Sequence, residues 1–260
     1  YKVRGAYYKI STMSEEARAK GLVAASAGNH AQGVAYAAQK FGCKATIVMP
    51  TVTPLIKVNR TKSYGAEVIL YGDVYDDSCA YAEKLAQERG STFVHPFDDL
   101  DIVAGQGSIA MEIVQELPTV DYILAPVGGG GLITGVSTLA KMLNPKIKVI
   151  GVEPAAAPSM TMALASGEPV TLDSANTIAD GTAVKRVGDR IFEYAKKNID
   201  QMLTVEDDEL VGAFLDMVEN HKMIVENSGL LTVAALKQLD LKGKKAVAIL
   251  SGGNMDVITM

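Results

Sequence analysis

Tryptophan is absent from this 260-residue chain, cysteine occurs twice and histidine three times. Two cysteines, Cys43 and Cys79, are too few for a disulfide framework. Neither has a metal-ligand neighbour at zinc spacing, so a structural zinc module is excluded as well. Both fall within apparent regular structure and are expected as buried, reduced thiols of a cytoplasmic protein. No apolar run reaches the roughly 20 residues that span a bilayer, and Tyr1-Lys2-Val3-Arg4 lacks a signal-peptide core. Positive charge is in short supply too: 25 Lys and Arg face 30 Asp and Glu, for a net charge of −5. The basic residues are scattered rather than clustered, so neither nucleic acid nor an anionic membrane is an expected partner.

What is abundant is a rhythm of short β-branched runs and longer helical stretches. Strands are expected at 21–25, 44–49, 66–71, 92–94, 122–127, 149–152 and 246–250, each nearly continuous in apolar residues. Between them, helices are expected at 29–41, 54–64, 74–89, 102–117, 132–143, 207–220 and 228–239. Gly42, Gly65 and Gly90 supply stops for the first three. The stretch 155–190 has weaker periodicity and reads as loop with short helix. Such alternation predicts an α/β protein with two open, mainly parallel sheets flanked by helices. Open parallel sheets bind ligands at the carboxyl ends of their strands, and the unusual residues of this chain collect there.

Gly128-Gly129-Gly130-Gly131 follows a strand and opens a helix. Glycines free the backbone for close approach to a ligand, and a helix start carries partial positive charge, so the loop suits a phosphate. A dinucleotide turn is the rival, with Glu153 as its ribose-binding acid, although the glycine spacing departs from that fingerprint. Ser26-Ala27-Gly28-Asn29-His30 is a second strand-to-helix loop. Ser26 and Asn29 suit helix capping, and the loop also gathers amides, a hydroxyl and a carboxamide fit for a substrate carboxylate. One turn into a helix, His30 reads as an orienting or capping residue, with a general base as the alternative. Ser251-Gly252-Gly253-Asn254 is the third such loop: either a tight turn, or a hydroxyl followed by glycines that leave room for a flat ring.

Taken together and in order, Tyr1 to Ala6, Ala25 to Gly33, Gly105 to Ile109, Pro126 to Leu132, Gly151 to Pro154 and Ser251 to Asn254 resemble threonine dehydratases. Serine dehydratases and serine racemases share that fold, pyridoxal-phosphate fold type II, which is similar to the tryptophan synthase β subunit. The resemblance implies a cytoplasmic homo-oligomer that acts on a small amino acid, in isoleucine biosynthesis or threonine catabolism. The reaction it implies is loss of water from L-threonine or L-serine, giving a 2-oxo acid and ammonia. It further implies that Lys2 bonds to the aldehyde of pyridoxal 5′-phosphate and moves the Cα proton, and that Tyr1 packs on the ring. Gly128 to Gly131 would hold the phosphate, Asn29 the 3′-oxygen, and Ser251 the ring nitrogen. Ser26, Ala27, Gly28, Asn29 and His30 would hold the substrate, and no metal is called for.

The family pattern divides the chain into residues 1–21, the start of a large domain, then a small α/β domain at 22–98, then the large cofactor domain at 99–260. Relatives carry a further segment before the lysine, so a chain bounded like this one is expected to be a piece of such an enzyme. The alternatives are a serine racemase or serine dehydratase, a nicotinamide-dependent oxidoreductase, and a catalytically silent module of the same fold.

Overall fold

The computed structural model describes residues 1–255 and divides into two compact units, with the boundary between Pro96 and Phe97. The tail 256–260 of the last expected domain lies outside the described residues.

The first unit opens with helices α1 (Lys2–Thr12) and α2 (Glu15–Ala19). Strands β1 (Leu22–Ala25), β2 (Ala45–Met49), β3 (Glu67–Leu70) and β4 (Thr92–Phe93) then alternate with helices α3 (Asn29–Lys40), α4 (Leu55–Ser63) and α5 (Tyr75–Arg89). The sheet runs β3-β2-β1-β4 with every pairing parallel. β1 and β2 are buried along their whole length, as their unbroken apolar runs require of central parallel strands. Gly90 ends α5 in the left-handed region at φ 64°, a conformation that costs glycine little. Residues 1–21 pack with this unit. Helix α1 lies so close to α3 that a Cβ on Gly33 would sit 3.0 Å from the Val3 nitrogen. Cys43 and Cys79 are free thiols, half-buried rather than buried.

In the second unit, α6 (Leu100–Glu116) precedes β5 (Tyr122–Pro126), α7 (Gly131–Leu143), β6 (Lys148–Pro154) and α8 (Ser159–Ser166). After these come α9 (Phe192–Asn198), β7 (Gln201–Val205), α10 (Asp207–Asp216), α11 (Asn227–Ala235) and β8 (Ala246–Ala248). Its sheet, β7-β6-β5-β8, is again wholly parallel. Asp99 caps α6 by accepting the Asp101 amide at 2.8 Å. Helices α6 and α7 touch backbone to backbone, since a Cβ on Gly135 would lie 2.3 Å from the Val103 carbonyl oxygen. The expected helix over 207–220 stops at Asp216, and a wider π turn, Met217–His221, completes it before Lys222 at φ 57°.

Candidate functional site

In the first unit the loop from β1 to α3 has an unusual helix start. Gly28 is the cap residue and provides no side chain, so the capping expected of Ser26 and Asn29 takes a different form. Ser26 Oγ accepts the Gly28 amide at 3.2 Å, a small turn that closes the loop on itself. Among the described residues, the amides of Ala27, His30 and Ala31 meet no protein acceptor. Three unclaimed N–H groups at the positive end of a helix suit a carboxylate.

His30 contributes its backbone rather than its ring to that cradle. The ring is buried, and Nε2 lies 2.8 Å from the Val94 carbonyl oxygen, which can only accept. The proton therefore sits on Nε2 and the imidazole is neutral. Burial, then the nearby Lys2 charge, pushes its pKa down to about 3. Nδ1, the unprotonated nitrogen, is buried and meets no partner among the described residues, so it is the depressed pKa that argues against His30 as a general base.

Lys2 occupies the first position of α1, and its Nζ donates to the Pro96 carbonyl at 2.6 Å. That ammonium also stands 5.5 Å from the centre of the Tyr1 ring. The 26–30 loop, Lys2 and Tyr1 are thus held in one unit.

The glycine loop of the second unit lies between β5 and α7. Among the described residues, no protein acceptor takes the amides of Gly128, Gly129, Gly130 or Gly131. Their carbonyls, in contrast, are fixed: Gly129 O accepts from Gly188 N at 3.0 Å, and Gly130 O accepts from both Thr134 N and Thr134 Oγ1. The glycines themselves are needed for a reason other than close approach to a ligand. A Cβ on Gly129 would lie 2.4 Å from the Phe97 ring, one on Gly131 would meet the Phe97 backbone, and one on Gly130 would meet the Met160 methyl. Gly130 is also at φ 97°. Protein packs the side-chain side of this loop and leaves four amides as donors, an arrangement that fits the phosphate of pyridoxal phosphate.

Ser251, buried, begins the turn after β8. The glycines behind it are closely packed on the side that a Cβ would take. A Cβ on Gly252 would lie 2.2 Å from Glu226 Oε1, and one on Gly253 would lie 3.0 Å from Ile224 O. Glu226 grips the turn through backbone pairing with Gly252 and by accepting the Asn254 amide at 3.2 Å. Contacts run from Gly128 to Thr182, from Thr182 to Ser228, and from Gly229 to Ser251, so the glycine loop and the Ser251 turn share one wall.

Glu153 is not available to a ribose. Fully buried, it accepts Met160 N at 2.6 Å, Thr161 N at 2.9 Å and Thr161 Oγ1 at 2.8 Å, which pins the start of α8. Burial raises its pKa to about 7 in spite of these donors. The dinucleotide reading loses its acid. Phe97, Asp98 and Glu226 went unselected in the sequence, and only the cap residue at the end of the 97–99 run carried a local signal there. No cluster of metal-binding side chains occurs among the described residues.

Comparison with known proteins agrees with this geometry. The model of the family "Pyridoxal-phosphate dependent enzyme" matches residues 1–252. The chain is 50% identical over 258 residues to an L-threonine ammonia-lyase of Thermotoga maritima, covering 99% of this chain and 64% of the relative. It is 46% identical over 264 residues to an L-threonine dehydratase biosynthetic IlvA of Haemophilus influenzae, covering 52% of that protein. The chain therefore spans between half and two thirds of the length of these two relatives. Among solved structures, the processed threonine deaminase isoform 2 of Solanum lycopersicum superposes with TM-score 0.94 at 42% identity, covering 99% of this chain and 76% of that one. Maize serine racemase gives 0.94 at 35% identity, covering 99% and 80%.

Proposed function

We propose that this chain, which belongs to the pyridoxal-phosphate dependent enzyme family, carries the chemistry of a threonine ammonia-lyase. L-threonine, or L-serine, loses water to give an enamine, and its imine tautomer then takes up a water to yield 2-oxobutanoate or pyruvate and release ammonia. The observation that carries this reading is the run of four unclaimed amides at Gly128 to Gly131, backed by similarity to ammonia-lyases over nearly the whole chain. The whole protein is proposed to be a cytoplasmic homo-oligomer. The biosynthetic names of its relatives favour a biosynthetic role.

Pyridoxal phosphate, when bound, supplies an electron sink for the bonds at Cα. The residues of this chain do the rest. Gly128 to Gly131 donate amides to the phosphate. Lys2 would hold the cofactor at its aldehyde, and its amine, when neutral, would take the Cα proton. Ala27, His30 and Ala31 offer amides to the substrate carboxylate, beside the Ser26 hydroxyl, Gly28 and Asn29, and so orient the Cα–H bond. Asn29 would hold the ring's 3′-oxygen, and Tyr1 would pack on the ring. Ser251 would meet the ring nitrogen with a neutral hydroxyl, which could not hold a positive charge there as an aspartate would. That choice favours prompt loss of the β-hydroxyl over transamination.

The test adds pyridoxal phosphate, records the absorbance of the lysine-bound cofactor, and assays 2-oxo acid from threonine and serine. Keto acid from threonine is expected. A chain that binds nicotinamide instead, or binds the cofactor without turnover, refutes the proposal. Similarity to maize serine racemase supports a second reading, which appearance of D-serine from L-serine in the same assay would reveal.

A further inference from the structure

We infer that Asp98 is a positioning residue for the glycine loop: it fixes a turn that orients the Gly129–Gly130 peptide and thereby aims the Gly130 amide at phosphate. The inference rests on the proposed cofactor role of that loop. The chain of contacts lies wholly within the second unit. Asp98 Oδ1 accepts the amides of Arg190 at 3.0 Å and Ile191 at 3.2 Å, which holds the 188–191 turn. Gly188, at the start of that turn, donates its amide to Gly129 O at 3.0 Å. A trans peptide is planar, with its N–H opposed to its C=O. Holding the Gly129 oxygen toward Gly188 therefore points the Gly130 N–H the other way, and that N–H is one of the four without a protein acceptor.

Two further features brace the same peptide. The Phe97 ring, next to Asp98 in sequence, covers Gly129 and would sit 2.4 Å from any Cβ there. Ile191, whose amide Asp98 holds, stands 3.3 Å from where a Gly130 Cβ would be. The fit between acid and turn is close: a Cβ on Gly188 would lie 2.5 Å from Asp98 Oδ1. Both amides go to one oxygen, so an asparagine with its carbonyl in that place can accept both.

The experiment compares apoprotein affinity for pyridoxal phosphate and for pyridoxal, which lacks the phosphate. Asp98→Ala is expected to weaken pyridoxal phosphate binding about ten-fold or more, the scale of one misdirected hydrogen bond, with pyridoxal binding changed less than about two-fold. Asp98→Asn is expected to restore phosphate affinity to within about two-fold of the parent. Equal affinity in Asp98→Ala and parent, or parallel loss of both ligands, overturns the inference. If Asp98→Ala does not fold, Gly188→Ala probes the same link by crowding Asp98, and unchanged phosphate selectivity in that variant overturns it equally. A parent protein that shows no preference for the phosphorylated ligand sinks the cofactor reading itself. A parent that shows the preference, with variants that keep it, sinks only the role of Asp98.

Discussion

Glu153 accepts the Met160 amide at 2.6 Å, and the Met160 methyl fills the place that a side chain on Gly130 would take. A buried carboxylate thus stands behind the glycine loop through one methionine.

Its protonation should show in stability. The folded-state pKa, near 7, lies above the ordinary carboxylate value of 4.5, so between them the native state binds more protons than the unfolded one. The stabilising contribution is complete below 4.5 and is lost as pH rises through about 7, on the order of 3 kcal/mol in all. Urea midpoints across that window should fall with pH for the parent, after allowance for other groups. Glu153→Gln should remove that component of the slope and cost about 1–3 kcal/mol at low pH, because its NH2 would face the Thr161 amide.

Gly130→Val should harm both folding and cofactor binding. The residue sits at φ 97° and its Cβ would meet Met160 at 2.8 Å. A loss of about 1–3 kcal/mol in stability is expected, read as a lower melting temperature, together with weaker binding of pyridoxal phosphate. A variant as stable as the parent would contradict the packing described here.

Lys2→Ala should fold, since α1 keeps its contact with α3 at Gly33, but should lose the absorbance of bound cofactor and all turnover. Borohydride reduction of the parent and peptide mapping should recover the label on Lys2. Recovery mainly on another lysine would reassign the role.

Ser251→Ala should raise the elimination barrier by about 1–3 kcal/mol, as loss of a buried polar partner does. Ser251→Asp should act differently in kind, by holding a proton on the ring nitrogen and raising the share of transamination product. Product analysis of the two variants separates these effects, and an unchanged ratio in the aspartate variant removes Ser251 from the ring.

Most of the α/β frame was legible because it is written in local runs. The ends of β1, α3 and α5 fall where apolar strands meet Asn29 and where Gly90 turns left-handed. Helix α1 was not legible: its packing depends on Gly33, thirty residues on, and its own Gly5 and aromatic residues are mediocre helix formers. β7 was missed because it is an edge strand without a buried run. The glycine loop and the Ser251 turn were found, but the explanation for their glycines had to wait for the structure. The atoms that crowd them, on Phe97, Met160 and Glu226, come from other elements. Asp98 joins partners about ninety residues away, a distance no local pattern spans.

The wholly parallel second sheet also has a temporal meaning. β5 pairs with β6 nearby, yet its other neighbour is β8, with Tyr122 opposite Ala246. That edge of β5 stays unpaired until β8 has been made, 124 residues on from Tyr122 to Ala246, and pairings of such long sequence separation form slowly. During synthesis, the glycine loop after β5 therefore emerges long before the Ser251 turn that follows β8. The nascent protein passes through a stage with an open, apolar strand edge, where encounter with other unfinished chains is the main hazard.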